Sequence, residues 1–213
     1  MNSNPCVQNK RYLILALISF CLVCLRQVSL GQTHEGWYRR GVEHVKAGNY
    51  KEALEDFNKS IELSANDHNA WFNRGITKEK LGDFNGAIED YSKAIGLSPY
   101  FERAFCNRGI AKRKLGNFAG AIQDYDKAIE LKSHDANAYC NRGNAKGDLE
   151  QYNEAILDYT KAIELNPDFA EAYNNRGVAR QKQGDSKGAC LDFNKAVEFG
   201  NKNAMDLLSK NCK

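Results

Sequence analysis

Proline is nearly absent from the sequence. Only Pro5, Pro99 and Pro167 occur in 213 residues, which suits a chain made mostly of helix, because proline breaks helix interiors. A surplus of charge is also missing. Lys10, Arg11 and Arg26 are the only charged residues before His34, and with those set aside 27 basic residues face 27 acidic ones. A formally neutral body excludes a general electrostatic attraction to nucleic acid or anionic lipid. No Gly-rich phosphate loop, nucleophile motif or paired-carboxylate site appears, so no catalytic residue, metal site or cofactor site is assigned. His34 and His68 share a column of the repeat described below. Without a third ligand at fixed spacing they read as polar helix-start residues.

The longest apolar run is also short. Tyr12 to Leu25 holds 14 residues between Lys10-Arg11 and Arg26, fewer than the roughly 20 needed for a spanning helix. The basic lead, the short apolar core and the small residues Ser29 and Gly31 read as a secretory signal peptide over residues 1–31, cleaved before Gln32. The chain is therefore expected to be exported, periplasmic or secreted. The alternative is a retained membrane anchor over residues 12–25.

What is present is a repeat. Asn-Arg-Gly stands at Asn73-Arg74-Gly75, Asn107-Arg108-Gly109, Asn141-Arg142-Gly143 and Asn175-Arg176-Gly177, with Arg39-Arg40-Gly41 one period earlier. The spacing is 34 residues, which marks a stacked repeat architecture. Fifteen residues after each Gly comes an Asp followed by Tyr or Phe: Asp56-Phe57, Asp90-Tyr91, Asp124-Tyr125, Asp158-Tyr159 and Asp192-Phe193. Rows of 34–67, 68–101, 102–135, 136–169 and 170–203 align almost without gaps. Their further columns are aromatic (Trp37, Trp71, Phe105, Tyr139, Tyr173), Ala (Ala53, Ala87, Ala121, Ala155, Ala189) and aliphatic (Ile61, Ile95, Ile129, Ile163, Val197).

Apolar positions within a row fall at helical spacing, as in Ala155, Ile156, Tyr159, Ala162 and Ile163. Gly48-Asn49, Gly82-Asp83, Gly116-Asn117 and Gly184-Asp185 end a first helix and cap a second. Each row thus predicts two antiparallel helices. Glu150 replaces the turn glycine of the fourth row, so that turn is expected to be strained or differently shaped. Five glycines in register inside first helices are costly, at about 1 kcal/mol each against Ala. They imply close approach of the helix backbones, with aromatic residues filling the seams. After the last row, Ala204, Leu207 and Leu208 at helical spacing predict a half-polar capping helix over 204–213.

The aromatic-x₃-Gly and Ala-x₃-Phe/Tyr spacings, with a terminal proline, resemble the tetratricopeptide repeat. Two columns depart from the usual pattern. Arg40, Arg74, Arg108, Arg142 and Arg176 stand where Leu is common, and His44, Lys78, Lys112, Lys146 and Arg180 where Tyr is common, marking an Asn-Arg-Gly subclass. The resemblance implies an all-α, right-handed superhelix, with first helices lining a concave groove and second helices outside.

Several site assignments follow. Arg74, Arg108, Arg142 and Arg176 are expected to form structural ion pairs with Asp90, Asp124, Asp158 and Asp192, in the same or the neighbouring row, because an Arg three residues from a buried aromatic lies beside the seam. The resemblance places Asn73, Asn107, Asn141 and Asn175 on the concave wall. There an amide ladder would hydrogen-bond an extended peptide backbone without demanding a sequence; otherwise each Asn bonds a neighbouring helix and supports the stack. Lys46, Lys80, Lys114 and Lys182, interrupted by Asp148, would join Arg103 and Arg113 in a mildly basic groove, or be ordinary solvated helix-end lysines. Phe72, Ile76, Cys106 and Ile110 would add apolar surface. The carboxylate-clamp places read Tyr38 and Val42, so binding of chaperone tails is not implied. Cys190 and Cys212 lie eleven residues either side of Asn201, level across an antiparallel pair, where a disulfide is possible. Cys106 and Cys140 share a column too widely spaced to bridge.

The expected function is a non-catalytic scaffold that binds a protein or peptide in its groove, with no nucleic-acid partner and a membrane only if the leader is retained. The alternative is a regulatory or assembly subunit of a membrane enzyme, held by an uncleaved N-terminal anchor.

Overall fold

The computed structural model describes residues 33–212. The signal peptide expected over 1–31 and the alternative anchor at 12–25 lie outside the described residues. Every regular element described is an α-helix, arranged as five pairs and a terminal helix. The pairs are α1 (His34–Ala47) with α2 (Tyr50–Leu63), α3 (His68–Lys80) with α4 (Phe84–Leu97), and α5 (Glu102–Lys114) with α6 (Phe118–Leu131). Next come α7 (Ala136–Asp148) with α8 (Tyr152–Leu165), then α9 (Ala170–Lys182) with α10 (Ser186–Glu198), and finally α11 (Lys202–Asn211). Among the described residues none of these helices is long and apolar enough to cross a membrane.

The helix ends follow from local chemistry. Thr33, Asp67, Asp83, Asn117, Asp135, Asp185 and Asn201 each accept a backbone N–H of the first turn that they precede, replacing bonds that a helix start cannot make for itself. First helices stop at left-handed residues, Gly48, Gly82, Gly116 and Gly184, with φ between 79° and 86°. Glu150 occupies the same place with φ 59°. Its turn keeps the bond pattern of the others: Gln151 N donates to Lys146 O at 2.9 Å, as Asp83 N donates to Lys78 O at 2.9 Å. The fourth turn is therefore strained rather than reshaped.

Each second helix packs against both its own first helix and the helix that follows it, which after the fifth pair is the terminal α11. First helices of successive pairs also touch along one edge, while second helices stand farther apart. The stack therefore curves toward its first helices, giving a superhelix whose inner wall is α1, α3, α5, α7 and α9.

The seam between the two helices of a pair is filled in one way five times. Phe57, Tyr91, Tyr125 and Phe193 are wholly buried and Tyr159 nearly so. Their rings press against the column glycines. A methyl group on Gly75 would stand 2.7 Å from Tyr91 Cε1, and one on Gly109 the same distance from Tyr125 Cε1. The glycines are thus required by a ring from the second helix, and not, as expected, by contact between backbones.

The ring hydroxyls need acceptors from the inner wall. Tyr91 Oη donates to Glu79 Oε2 at 3.0 Å and Tyr159 Oη to Asn144 Oδ1 at 2.9 Å. In the third repeat the residue corresponding to Asn144 is Ile110, and the buried Tyr125 hydroxyl has no protein partner. Burial raises the pKa of all three tyrosines and keeps them protonated.

Beside each ring lies a buried aspartate. Arg74 grips Asp90 with two bonds, Nε to Oδ2 at 2.8 Å and Nη2 to Oδ1 at 2.7 Å. Arg108 with Asp124, Arg142 with Asp158, and Arg176 with Asp192 repeat the geometry at 2.6–3.0 Å. All four pairs lie within a repeat, and Arg40 with Asp56 makes a fifth. A second cation also reaches each carboxylate: Lys78 at 3.0 Å, Lys112 at 2.8 Å, Lys146 at 2.7 Å and Arg180 at 2.8 Å. The third guanidinium nitrogen crosses to the preceding repeat. Nη1 of Arg74, Arg108, Arg142 and Arg176 donates to Asn58, Ser92, Asp126 and Thr160, respectively. The face of each guanidinium covers the aromatic three residues earlier, at 4.1–5.5 Å from the ring centre.

The last repeat is closed by α11, which buries Ala204. A disulfide joins Cys190 of α10 to Cys212, with Cα atoms 5.6 Å apart. Cys106 and Cys140 are free.

Two substitutions test this description. Glu150→Gly removes a left-handed L-residue, whose conformation costs about 1–2 kcal/mol, partly offset by glycine's greater unfolded freedom. It is expected to raise stability by about 1 kcal/mol, or roughly 3 °C in Tm, measured by calorimetry. Tyr125→Phe removes a hydroxyl with no partner and is expected to stabilise the fold by about 1 kcal/mol in urea titration, whereas Tyr159→Phe loses a made bond and destabilises it by a similar amount.

Candidate functional site

Four of the first helices each carry one asparagine at the same place in the 34-residue repeat, so the wall presents them side by side. These four do not behave alike. Asn73 Nδ2 donates to Tyr38 Oη of the first repeat at 2.9 Å and to Asn69 O at 3.0 Å. Asn175 Nδ2 donates to Asn144 Oδ1 at 2.9 Å, while its own Oδ1 accepts from Asn174 at 3.1 Å. The two end asparagines are therefore engaged in the wall itself. In the middle, Asn107, which also reaches the buried Tyr91 hydroxyl, and Asn141 face a hollow of about 320 Å³ together with Arg103, Cys106, Ile110, Asp135 and Asn137.

This hollow is chemically mild. Burial, with Asp135 and Glu102 nearby, pushes the Cys106 thiol up to about 12, so it stays protonated near neutral pH and is no nucleophile. Arg103 lies over the Phe72 ring at 5.0 Å. Phe72, expected to offer apolar groove surface, is 2% exposed and packs against Tyr91 and Phe101. Ile110 and Cys106 remain as the apolar part of this wall.

The basic residues are more dispersed than the sequence suggested. Lys46, Lys80, Lys114 and Lys182 are exposed near the ends of their helices. Arg113 is committed to Asp148: Nε to Oδ2 at 2.5 Å and Nη2 to Oδ1 at 3.2 Å. That pair removes one cation from the expected basic stretch. A second hollow, of about 390 Å³, opens at the pair and extends along α9 past Asn144, Gly147, Glu171 and Lys182.

Asn144 and Gly147 were missed by reading the sequence for recurring residues. The available signal was departure rather than recurrence. Asn144 stands in a column of Val42, Ile76, Ile110 and Val178, and Gly147 in one of Val45, Glu79, Arg113 and Gln181.

The two histidines do not meet. His34 Nδ1 lies 3.0 Å from Ser60 Oγ and its Nε2 3.6 Å from Asp67, while His68 meets Phe101 edge-on at 5.2 Å. Among the described residues no three His, Cys, Asp or Glu side chains stand together as metal ligands.

Comparison with known proteins fits this geometry. The tetratricopeptide repeat pattern matches residues 34–67 and 68–101, and a second tetratricopeptide repeat pattern matches 170–199. A TPR repeat pattern matches 109–149 and 148–184. No curated protein matches the sequence. Among solved structures, the MamA protein is 27% identical, with a TM-score of 0.73 over 82% of this chain and 96% of that one. MamA from Desulfovibrio magneticus RS-1 is 24% identical, with a TM-score of 0.75 over 80% of this chain and 96% of that one. YrrB, a TPR protein with an unusual peptide-binding site, is 20% identical, with a TM-score of 0.70 over 84% of this chain and 92% of that one. At these last two identities the likeness speaks for the fold alone. The repeat patterns, the helix pairs and the ring-on-glycine seams agree that the chain belongs to the tetratricopeptide-repeat family.

Proposed function

We propose that the chain is a non-catalytic scaffold that holds an extended protein or peptide segment along its inner wall. The observation that carries this reading is the central hollow, where Asn107 and Asn141 stand one repeat apart beside Asn137. Amides offer a donor and an acceptor each, which suits a peptide backbone of any sequence. The end asparagines, bonded within the wall, act as supports; Asn141, with Asn107 beside it on the Tyr91 hydroxyl, meets the ligand. YrrB, with its peptide-binding site, shares the fold and so adds a precedent for this use of it.

We further propose that the chain is exported with residues 1–31 removed. The reading rests on the basic lead, apolar run and small-residue exit of the leader. The Cys190–Cys212 bridge fits an oxidising compartment.

Replacing both Asn107 and Asn141 with Ala is expected to weaken a captured peptide partner by about 2 kcal/mol, roughly thirtyfold in Kd by calorimetry. Asn141→Ala alone, which leaves the Asn107 bond to Tyr91 in place, is expected to weaken it by about half as much in free energy, with the melting curve unchanged. Equal affinity in mutant and wild type would remove the asparagine mechanism. N-terminal sequencing of the protein from its native compartment is expected to start at or near Gln32; an intact leader would instead favour the membrane-anchored alternative.

A further inference from the structure

Two inner-wall columns hold one kind of residue in the other four repeats and change together in the fourth: Asn144 replaces an aliphatic residue and Asp148 replaces a lysine. Between them stands Gly147, in a column that varies throughout (Val45, Glu79, Arg113, Gln181) and is smallest here. All three residues border the same hollow of about 390 Å³, a size within the roughly 300–1,000 Å³ of small-ligand sites. Gly147 leaves the space and Asn144 supplies its polar floor.

The floor has a fixed polarity. Asn174 donates to Asn175 Oδ1, Asn175 donates to Asn144 Oδ1, and the Tyr159 hydroxyl donates to the same Oδ1. Both acceptor positions of Asn144 are thereby taken, and its Nδ2 hydrogens alone remain for a ligand. The charges around it balance. Arg113 and Asp148 are closed on each other, and Glu171 and Lys182, at opposite ends of α9, contribute one charge of each sign. A carboxylate or ammonium entering here would lose hydration without an excess of opposite charge to replace it. An aliphatic side chain would leave the Asn144 donors without a partner. A carboxamide meets both conditions, with an oxygen for Asn144 and an N–H group for the Glu171 carboxylate that also lines the hollow.

We propose that this hollow selects a carboxamide side chain, Gln or Asn, within the bound segment. The inference rests on the reading that the inner wall binds peptides. It assigns to the fourth repeat a choice of side chain that the backbone-directed asparagines cannot make. Sites built to hydrogen-bond a polar group reject analogues lacking it strongly.

Selection of phage-displayed random peptides against wild type, Gly147→Gln and Asn144→Val tests it. Gly147 is a safe place to substitute, because an added Cβ would meet only the Tyr159 hydroxyl at 3.6 Å. Wild type is expected to enrich peptides with Gln or Asn at one fixed position. Both variants are expected to lose that preference while keeping the rest of the consensus. Changing the selected Gln or Asn to Glu or Leu in a synthetic peptide is expected to weaken binding to wild type about tenfold or more and to leave Gly147→Gln nearly unaffected. If the preference persists in Gly147→Gln, or if wild type prefers a charged or aliphatic residue there, the pocket assignment is overturned alone. Recovery of no peptide by any of the three proteins would overturn the groove reading along with it.

Discussion

A buried carboxylate held between two cations is the interaction on which the stack depends. Asp90, Asp124, Asp158 and Asp192 are at most 4% exposed, and an isolated charge so placed would be unaffordable or neutralised. Each is matched by the guanidinium of the Asn-Arg-Gly motif and by a second Lys or Arg four residues further along the same helix. Removing one partner of such a pair typically costs about 3–5 kcal/mol. The arginine does more than balance charge. Two of its nitrogens fix the helix pair, the third reaches the previous repeat, and its face covers an aromatic ring. One side chain thereby sets the register inside a repeat and between repeats, which helps explain why a flexible Leu does not serve here.

The ring-on-glycine seam adds a dependence of its own. Where the ring is Phe, as in the first and fifth repeats, the seam asks nothing of the inner wall. Where it is Tyr, the hydroxyl emerges beneath the wall and seeks an acceptor. Glu79 and Asn144 meet that demand from different columns, and Ile110 does not. Core composition and groove chemistry are therefore linked: the polar floor of the fourth repeat exists partly because Tyr159 lies under it.

Much of this is legible in the sequence. The period gave the helix pairs, the turn glycines gave the helix ends, and the Arg and Asp columns named groups that the structure brings within bonding distance. Chain positions 190 and 212 were visibly level about Asn201. What escaped was whatever depends on neighbours rather than on recurrence. The second cation at Lys78 or Lys146 was seen only as a departure from a family pattern, because its partner lies twelve residues away on another helix. Phe72 looked like groove surface because its column is on the first helix, yet the Phe101 and Tyr91 rings enclose it. The asparagines looked equivalent in sequence, while Tyr38 engages Asn73 and Asn144 engages Asn175. A column fixes position on a helix; it does not fix which residue of the adjacent repeat lies opposite.

The ends of the stack show the same logic in reverse. Thr77, Ala111, Ala145 and Ala179 are buried against the preceding repeat, and the corresponding residue of the first repeat is the exposed Glu43. Arg40 is 50% exposed, against 12–18% for its four counterparts, because among the described residues no repeat precedes it to receive Nη1. At the other end α11 covers the last apolar face and the disulfide holds it there. Open-ended stacks need terminal units whose outer faces are polar, and this chain meets the need with a charged substitution at one end and a bridged helix at the other. Departures from the period thus fall into two kinds. Those at the ends face water, whereas Asn144, Gly147 and Asp148 lie in the interior of the array, where termination cannot account for them. Asn144 takes the Tyr159 hydroxyl and Asp148 closes on Arg113; beside them Gly147 leaves space and Asn144 keeps a directed donor, the two features on which the proposed carboxamide pocket rests.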